Sequence, residues 1–427
     1  MFQRIAVGII FVFVSVLSHA QLTIEITQGV DRPTRIAVVP FQWDGGGSAP
    51  EDFDRIISEN LRRSGLFDAM EASNMLSFPS PGSSISFRDW RVTDTEYLLT
   101  GVARTTADGL EAEIELHNVI SQNLVMRKTV YGGHNNGRDV AHRISDLVYE
   151  TITGIPGIFG TKIVYVTDAT MMDGSTRYRL MLADQDGARE QIITESSQPL
   201  MSPTWSPDGA QVAYVSFETG RPAIFTQELG SGLREQLTNF RGINGAPAWS
   251  PDGSKMAMSL SKDGNPEIYV MDIASKTFER VTNHFAIDTE PNWTPNGESL
   301  EFTSDRGGRP QIYQINLDSK RLRRLTFEGD YNARPRLSID GRYLVMVHRS
   351  DGQYHIAVQD LELDRLIIVT ETSLDESPTI APNSAMVMYA TKWQGRGILS
   401  AVSLDAGIKY RLPAQAGDVR EPAWSPN

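Results

Sequence analysis

Apolar and polar positions alternate over most of this chain in short runs, four to eight residues long, separated by Pro, Gly, Asp and Asn. That pattern predicts strands and tight turns. The punctuation is periodic. PTWSPDG at Pro203 returns as PAWSPDG at Pro247, PNWTPNG at Pro291, PRLSIDG at Pro335, PTIAPNS at Pro378 and PAWSPN at Pro422. Successive prolines stand 44, 44, 44, 43 and 44 residues apart. Within the unit at Pro247, the tryptophan strand is followed by a Pro251-Asp252-Gly253 turn and three further runs, Lys255 to Leu260, Glu267 to Asp272 and Phe278 to Thr282. Four strands per unit at this period specify a β-propeller blade.

Counting gives six blades. Lys162 to Thr167, Arg177 to Ala183 and Glu190 to Thr194 supply three strands of a blade that lacks its tryptophan strand, and Pro422 to Ser425 supplies a tryptophan strand without a blade. Joining them removes two unpaired sheet edges, so the last strand is expected to close the ring.

The region before the repeats has a different rhythm. Arg35 to Phe41 reads as a buried strand, and Pro50 to Met70 carries Phe53, Ile56, Ile57, Leu61 and Leu66 at helical spacing, with a stop at Gly65. Tyr97 to Val102, Leu110 to Val119 and Leu124 to Tyr131 read as strands, and Val140 to Ile152 as an amphipathic helix. The fold class expected is therefore mainly β: a small N-terminal α/β domain over 34–155 and a six-bladed β-propeller over 156–427, parted at Gly154-Ile155-Pro156-Gly157.

At the start, Arg4 precedes an apolar run from Ile5 to Leu17, and Ser18-His19-Ala20 has the small residues of a cleavage site. Residues 1–20 thus read as a secretory signal peptide, too short in its apolar part for a spanning helix, so the mature chain carries no membrane-spanning segment. Behind it, Leu22-Thr23-Ile24-Glu25-Ile26-Thr27 alternates like a half-buried strand before Gly29 and Pro33 interrupt it. It is either an edge strand of the next domain or a segment that pairs with something else.

Composition narrows the function classes. A net charge of −13 and a pI near 5.1 argue against nucleic acid as a partner. With no cysteine, disulfides, thiolate metal sites and a lipid anchor on cysteine are excluded. The chain has no GxSxG or HExxH motif. Of seven histidines only His348 and His355 offer a short metal-ligand spacing, and they fall on different strands, which favours a surface or core role over a zinc site. The run Asp44-Gly45-Gly46-Gly47-Ser48 lacks the GK[ST] ending of a phosphate loop and reads as a plain loop. Trp205, Trp249, Trp293 and Trp424, replaced by Leu337 and Ile380 in two blades, fit packing between blades better than a ring for stacking ligands. No catalytic residue and no resident cofactor is expected.

The three residues before each repeated proline should ring one mouth of the central channel. They are Leu200-Met201-Ser202, Asn244-Gly245-Ala246, Asp288-Thr289-Glu290, Asn332-Ala333-Arg334, Asp375-Glu376-Ser377 and Val419-Arg420-Glu421. This mouth reads as polar, net acidic and different in every blade, which suits a binding surface on a rigid scaffold. The carboxylates Asp288, Glu290, Asp375, Glu376 and Glu421 could hold calcium if they converge; otherwise they form a solvated acidic rim.

The repeats, together with VVPFQW (Val38 to Trp43), PLMSPTWSPDG (Pro199 to Gly209), NGAPAWSPDG (Asn244 to Gly253), FTSDRGGRPQIY (Phe302 to Tyr313) and LDESPTIAPN (Leu374 to Asn383), resemble the TolB family. Its members are periplasmic propeller proteins of the bacterial Tol-Pal system. The resemblance covers essentially all of the mature chain. It implies a non-catalytic, monomeric periplasmic adaptor that supports outer-membrane integrity and envelope constriction during cell division. The mouth would bind the lipoprotein Pal, and colicin-type disordered segments could enter it. The mature N-terminus, Gln21 to Pro33 with Leu22, Ile24, Ile26 and Val30, would bind the C-terminal domain of TolA.

Carried over to this sequence, the Pal-contacting positions fall on Ala246 and Thr289, with Ile243 standing where members often carry histidine. Met201, Asn244, Glu290, Arg334, Glu376 and Glu421 complete the expected mouth. A secreted propeller enzyme, a lyase or hydrolase acting on polysaccharide or peptide through the acidic rim, is the alternative. It would need a convergent acid and base in the channel.

Overall fold

The structure is a computed structural model that describes residues 25–28, 30–412 and 417–427. The signal-peptide region, Leu22 and Ile24 lie outside the described residues. β1 (Glu25–Gln28) precedes the α/β domain, which is built of β2 (Thr34–Val38), β3 (Gln42–Trp43), α1 (Phe53–Arg63), β4 (Phe67–Ala69), α2 (Phe87–Val92), β5 (Tyr97–Thr106), β6 (Gly109–Asn118), β7 (Asn123–Gly132) and α3 (Gly137–Thr153). The sheet order is β4-β2-β5-β6-β7, with β3 beside the far end of β5; β2 is parallel to β4 and β5, and β5, β6 and β7 are antiparallel.

Alternation along β2 explains the two layers. Ile36 and Val38 pack under α1 and α3 with Ile56, Leu61, Ile144 and Val148, whereas Ala37 and Val39 face Trp90 of α2 on the other side. The helix within Pro50 to Met70 ends where the expected stop at Gly65 put it. It stops at Ser64, Gly65 takes a left-handed φ of +72°, and the chain turns back as β4. The short helix α2 and strands β3 and β4 carry too few residues for periodicity to reveal them.

The propeller has six sheets. The first four blades have inner strands Leu200–Trp205, Asn244–Trp249, Asp288–Trp293 and Asn332–Leu337, each followed by three antiparallel neighbours. In the sixth, inner strand Asp418–Trp424 pairs with Lys162–Thr170, Ala423 opposite Val164 and Trp424 opposite Ile163, so the expected closure is present. The fifth blade runs inward to outward as Glu376–Ile380, Met386–Trp393, Arg396–Ser403 and Lys409–Leu412, and β1 adds itself as a fifth, outermost strand. Its register sets Glu25 opposite Arg411 and Ile26 opposite Tyr410. The amphipathic N-terminal strand therefore pairs with the chain's own propeller, not with the α/β domain.

The tryptophans do what their repetition suggested. Trp205 and Trp293 are buried and donate their indole N–H to the carbonyls of Ala423 and Ala248 on the preceding inner strand, both at 3.0 Å, and Trp424 donates to Thr161 Oγ1 at 2.8 Å. Each turn is fixed by its Asp or Asn: in the first, Ser206 Oγ and the Ala210 N–H both donate to Asp208 Oδ1 while Gly209 takes φ of +68°, and in the third the Glu298 N–H donates to Asn296 Oδ1. A second staple recurs at the blade's outer edge. Thr238, Thr282, Thr326 and Thr370 each accept, through Oγ1, the N–H of an isoleucine on the third strand at 2.9 to 3.0 Å.

Two contacts hold the domains together. On one side Arg63 of α1 and Arg138 of α3 reach the propeller turn holding Asp184 and Asp186. On the other, Val30, Leu66, Tyr149, Ile155, Ile158 and Phe159 face Met386, Ile408 and Tyr410 across an apolar cavity of about 330 Å³.

Candidate functional site

The channel mouth is built by one backbone device used six times. Each inner strand slips register against its neighbour just before the repeated proline: between Met201 and Thr204, Gly245 and Ala248, Thr289 and Asn292, Ala333 and Arg336, Glu376 and Thr379, and Arg420 and Ala423. The residue preceding the proline is left-handed in every case. Ser202, Ala246, Glu290, Arg334, Ser377 and Glu421 have φ between +49° and +57°. For an L-residue this costs about 1–2 kcal/mol, so a β-bulge kept in all six blades marks a constrained site.

The bulge decides which of the three residues before the proline faces the mouth. The first of each triplet, Leu200, Asn244, Asp288, Asn332, Asp375 or Val419, is buried. Asn244 ties its own loop down, with Nδ2 donating to the Phe240 and Gly242 carbonyls and Oδ1 accepting from the Phe240 N–H. Asp288 is bound by Arg306 at 2.5 Å, and Asp375 accepts from the hydroxyls of Thr370 and Thr372. Burial pushes both carboxyls above the usual range. Of these six first residues only Asn244 also borders the mouth pocket, which otherwise takes second and third residues of the triplets.

Their placement is uneven. Met201 and Glu376 are exposed, as is Ile243, which precedes Asn244. Thr289 is half-buried, its Oγ1 3.2 Å from Ser259 Oγ. Ala246 is half-buried in the same pocket, of about 310 Å³, lined also by Met201, Ile243, Thr289 and Glu290. On the N-terminal segment, Ile26 lies in β1 and Val30 lines the interdomain cavity, its N–H donating to the Gly65 carbonyl at 3.3 Å.

Electrostatically the mouth is not the solvated acidic rim expected. Arg334 reaches across the channel, with Nε 2.9 Å from Glu290 Oε1, and Nη1 and Nη2 3.2 and 3.3 Å from the two oxygens of Glu421. It also donates to Ser377 Oγ, while its backbone N–H donates to Glu290 Oε2 at 3.0 Å. One guanidinium thus ties the third, fourth, fifth and sixth blades together. Burial opposes its charge, but Glu421 and Glu290 raise its pKa beyond the normal arginine range. Of the five carboxylates considered for calcium, Glu290 and Glu421 are bridged by a cation from the protein itself, Arg334, and Glu376 adds to the negative charge around it. This donor set does not fit a calcium cage.

Among the described residues, one His and carboxylate group has ligand-like spacing: His142, Asp184 and Asp186 at the domain interface. It is filled by cations. Asp184 is contacted by Lys162 at 2.9 Å, Arg189 at 2.7 Å and Arg138 at 3.2 Å, and Asp186 by Arg63 at 2.8 Å and by Arg138. Although burial acts against it, His142, Arg189 and Lys162 hold the Asp184 carboxyl below the usual carboxylate range.

The residue after each proline was not singled out from sequence. Thr204, Ala248, Asn292 and Arg336 occupy that position in the first four blades, and all line the mouth pocket. The only signal available was the position itself within the repeat.

Relatives share this architecture. A family profile described as the TolB beta propeller domain matches residues 149–427, and one described as the TolB amino-terminal domain matches 22–125. A Tol-Pal system protein TolB from Pseudomonas fluorescens is 57% identical over 405 residues, covering 94% of each chain. Another from Pseudomonas syringae pv. tomato is 55% identical over 421 residues, covering 98% of this chain and 97% of the relative. The crystal structure of TolB from Acinetobacter baumannii superposes with a TM-score of 0.88 at 41% identity, covering 95% of this chain and 100% of that one. With both domains matched and the six-bladed ring shared, this chain belongs to the TolB family of the Tol-Pal system.

Proposed function

We propose that this chain is a non-catalytic periplasmic adaptor that binds the lipoprotein Pal at the propeller mouth and the C-terminal domain of TolA through residues 21–33, supporting outer-membrane integrity and constriction at division. The observation that carries this reading is the ring of six left-handed bulges, which brings one residue from every blade, of four side-chain types in all, to one rigid opening. The leader-like residues 1–20 support export to the periplasm, and among the described residues no helix is long and apolar enough to cross a membrane. The adaptor acts as a monomer.

A non-catalytic mouth fits the charge pairing. Glu290 and Glu421 are both engaged by Arg334, so neither is poised as a general base. The same pairing supports a channel that works without calcium. The pocket between Met201, Ile243, Ala246 and Thr289 also suits a colicin-type extended segment.

The two proposed sites share the fifth blade as a common element. The fifth blade carries Ser377 at the channel and β1 at its outer edge, so occupancy of the mouth and release of the N-terminal segment are coupled through that sheet. The reading is tested by calorimetric titration of the soluble domain of Pal into full-length Ala246→Trp. Binding should weaken at least about tenfold, or 1.4 kcal/mol, with the melting temperature little changed. Unchanged affinity would place the Pal site elsewhere.

A further inference from the structure

Behind the Arg334 clamp a second arginine lines the same pocket. Arg336 is half-buried, and its one hydrogen bond runs from Nη1 to the carbonyl of the adjacent Pro335, at 2.8 Å. It makes no ion pair among the described residues. The two nearby carboxylates are already engaged: Glu290 accepts from Arg334 through both oxygens and from Thr303 Oγ1, and Glu421 accepts from Arg334 through both of its own. The neighbours at the same repeat position, Thr204, Ala248 and Asn292, are uncharged.

A guanidinium withdrawn from water without a counter-charge is unfavourable, and it presents a planar donor edge that matches a carboxylate's two oxygens. Burial first, and then the neighbouring Arg334, lower the pKa of Arg336, the opposite of what happens at Arg334. The two arginines, two residues apart on one strand, therefore differ in kind. Arg334 is a satisfied structural clamp; Arg336 has unused donors facing a pocket open at the mouth.

We infer that the floor of this pocket is a carboxylate-binding site, with the free edge of Arg336 as its recognition element. Its occupant is the acidic side chain of a protein segment entering from the mouth, or a free small carboxylate. The site stands on the geometry of Arg336 and does not depend on which protein docks at the mouth.

Crystals of the full-length protein soaked in sodium bromide test it by anomalous scattering. A bromide within hydrogen-bonding distance of Arg336 is expected, displaced by sodium acetate and absent from Arg336→Met. Crystals showing bromide elsewhere but none at Arg336, or the same bromide in Arg336→Met, would overturn the assignment, as would failure of acetate to displace it. Competition by the capped tripeptide Ser-Glu-Ser separates the two sources. Displacement at concentrations below acetate identifies a protein side chain; displacement only at or above acetate concentrations identifies a free carboxylate.

A solution measurement removes dependence on the lattice. The melting temperature of the wild type should climb by about 1 °C or more as acetate is added, beyond any rise in Arg336→Met, which should itself melt no lower than the wild type without acetate. Parallel acetate dependence in the two proteins would exclude the site.

Discussion

Six L-amino acids hold left-handed backbone at equivalent places around the channel, and the side chain of one of them, Arg334, joins three of the others. A clamp of this kind is most costly when half removed. Arg334→Met deprives Glu290 and Glu421 of the guanidinium that bonds both, and a loss of about 2–4 kcal/mol in urea unfolding is expected. The double variant Arg334→Met/Glu421→Gln should recover part of it. Equal stability of single variant and wild type would show that the clamp contributes nothing.

A second residue acts through protonation. Glu301, on the second strand of the third blade, is fully buried, and burial pushes its carboxyl to about 7 against the hydrogen bonds from Gln314 and Asn292. A carboxyl raised on folding binds its proton more tightly in the folded chain. Its contribution is present below the unfolded value of 4.5 and is lost as pH rises through about 7. The upper bound is on the order of 3 kcal/mol. Melting temperatures between pH 5 and pH 8 should therefore fall less steeply in Glu301→Gln than in the wild type. Identical slopes would mean that Glu301 titrates normally.

At the scale of elements, the feature of most consequence is the pairing of β1 with Lys409–Leu412. An isolated outer strand exposes a row of unpaired N–H and C=O groups, and covering that edge with a short, separable segment protects it while leaving the cover exchangeable. Ile26→Pro removes a ladder donor and fixes φ in that segment. Hydrogen exchange at the amides of Lys409–Leu412 should accelerate in this variant while the rest of the propeller keeps its protection. Unaltered exchange would show that the pairing does not shield the blade. Ring closure by Asp418–Trp424 is of another kind, because Trp424 packs between blades and its indole is bonded to Thr161. Its loss would strip the sixth blade of its inner strand and leave Lys162–Thr170 as a raw sheet edge.

For the whole molecule, the α/β domain is fixed to the ring by charge on one side and apolar packing on the other. Arg63, Arg138, Lys162 and Arg189 converge on Asp184 and Asp186, with Arg189 also bound to Asp139 at 2.5 Å. Asp146 adds a tether: it accepts from the Phe159 and Gly160 N–H groups of the linker, at 2.7 and 3.3 Å, and burial raises its carboxyl to about 6. Asp184→Ala removes the buried carboxylate shared by three cations, leaving Lys162 without its ion pair while Arg138 keeps Asp186 and Arg189 keeps Asp139. It should lower stability by about 3–5 kcal/mol and speed proteolysis within 154–160, between the domains. A variant cut no faster than the wild type would place the rigidity of the joint in the apolar contact alone.

Much of this architecture was written in the order of residues. The 44-residue recurrence of a proline and tryptophan strand, the Asp-Gly turns and the orphan strand at Pro422 determined the number of blades and the closure of the ring, because a blade repeats its local chemistry and a sheet edge needs a partner. The mouth was found as a region but not as a surface. A bulge shifts facing by one residue, so Asn244, Asp288 and Asp375 turned inward, and only the folded strand shows the left-handed φ that does it. Whether acidic residues form a rim or a salt bridge depends on a cation 44 residues from Glu290 and 87 from Glu421, a proximity that only the closed ring creates. The same holds for Arg336, unpaired because its neighbour took both carboxylates, and for β1, whose alternation showed a strand but not its partner. Periodicity is a local property and was determined by sequence; facing, charge pairing and docking are properties of distance, and tertiary structure alone decided them.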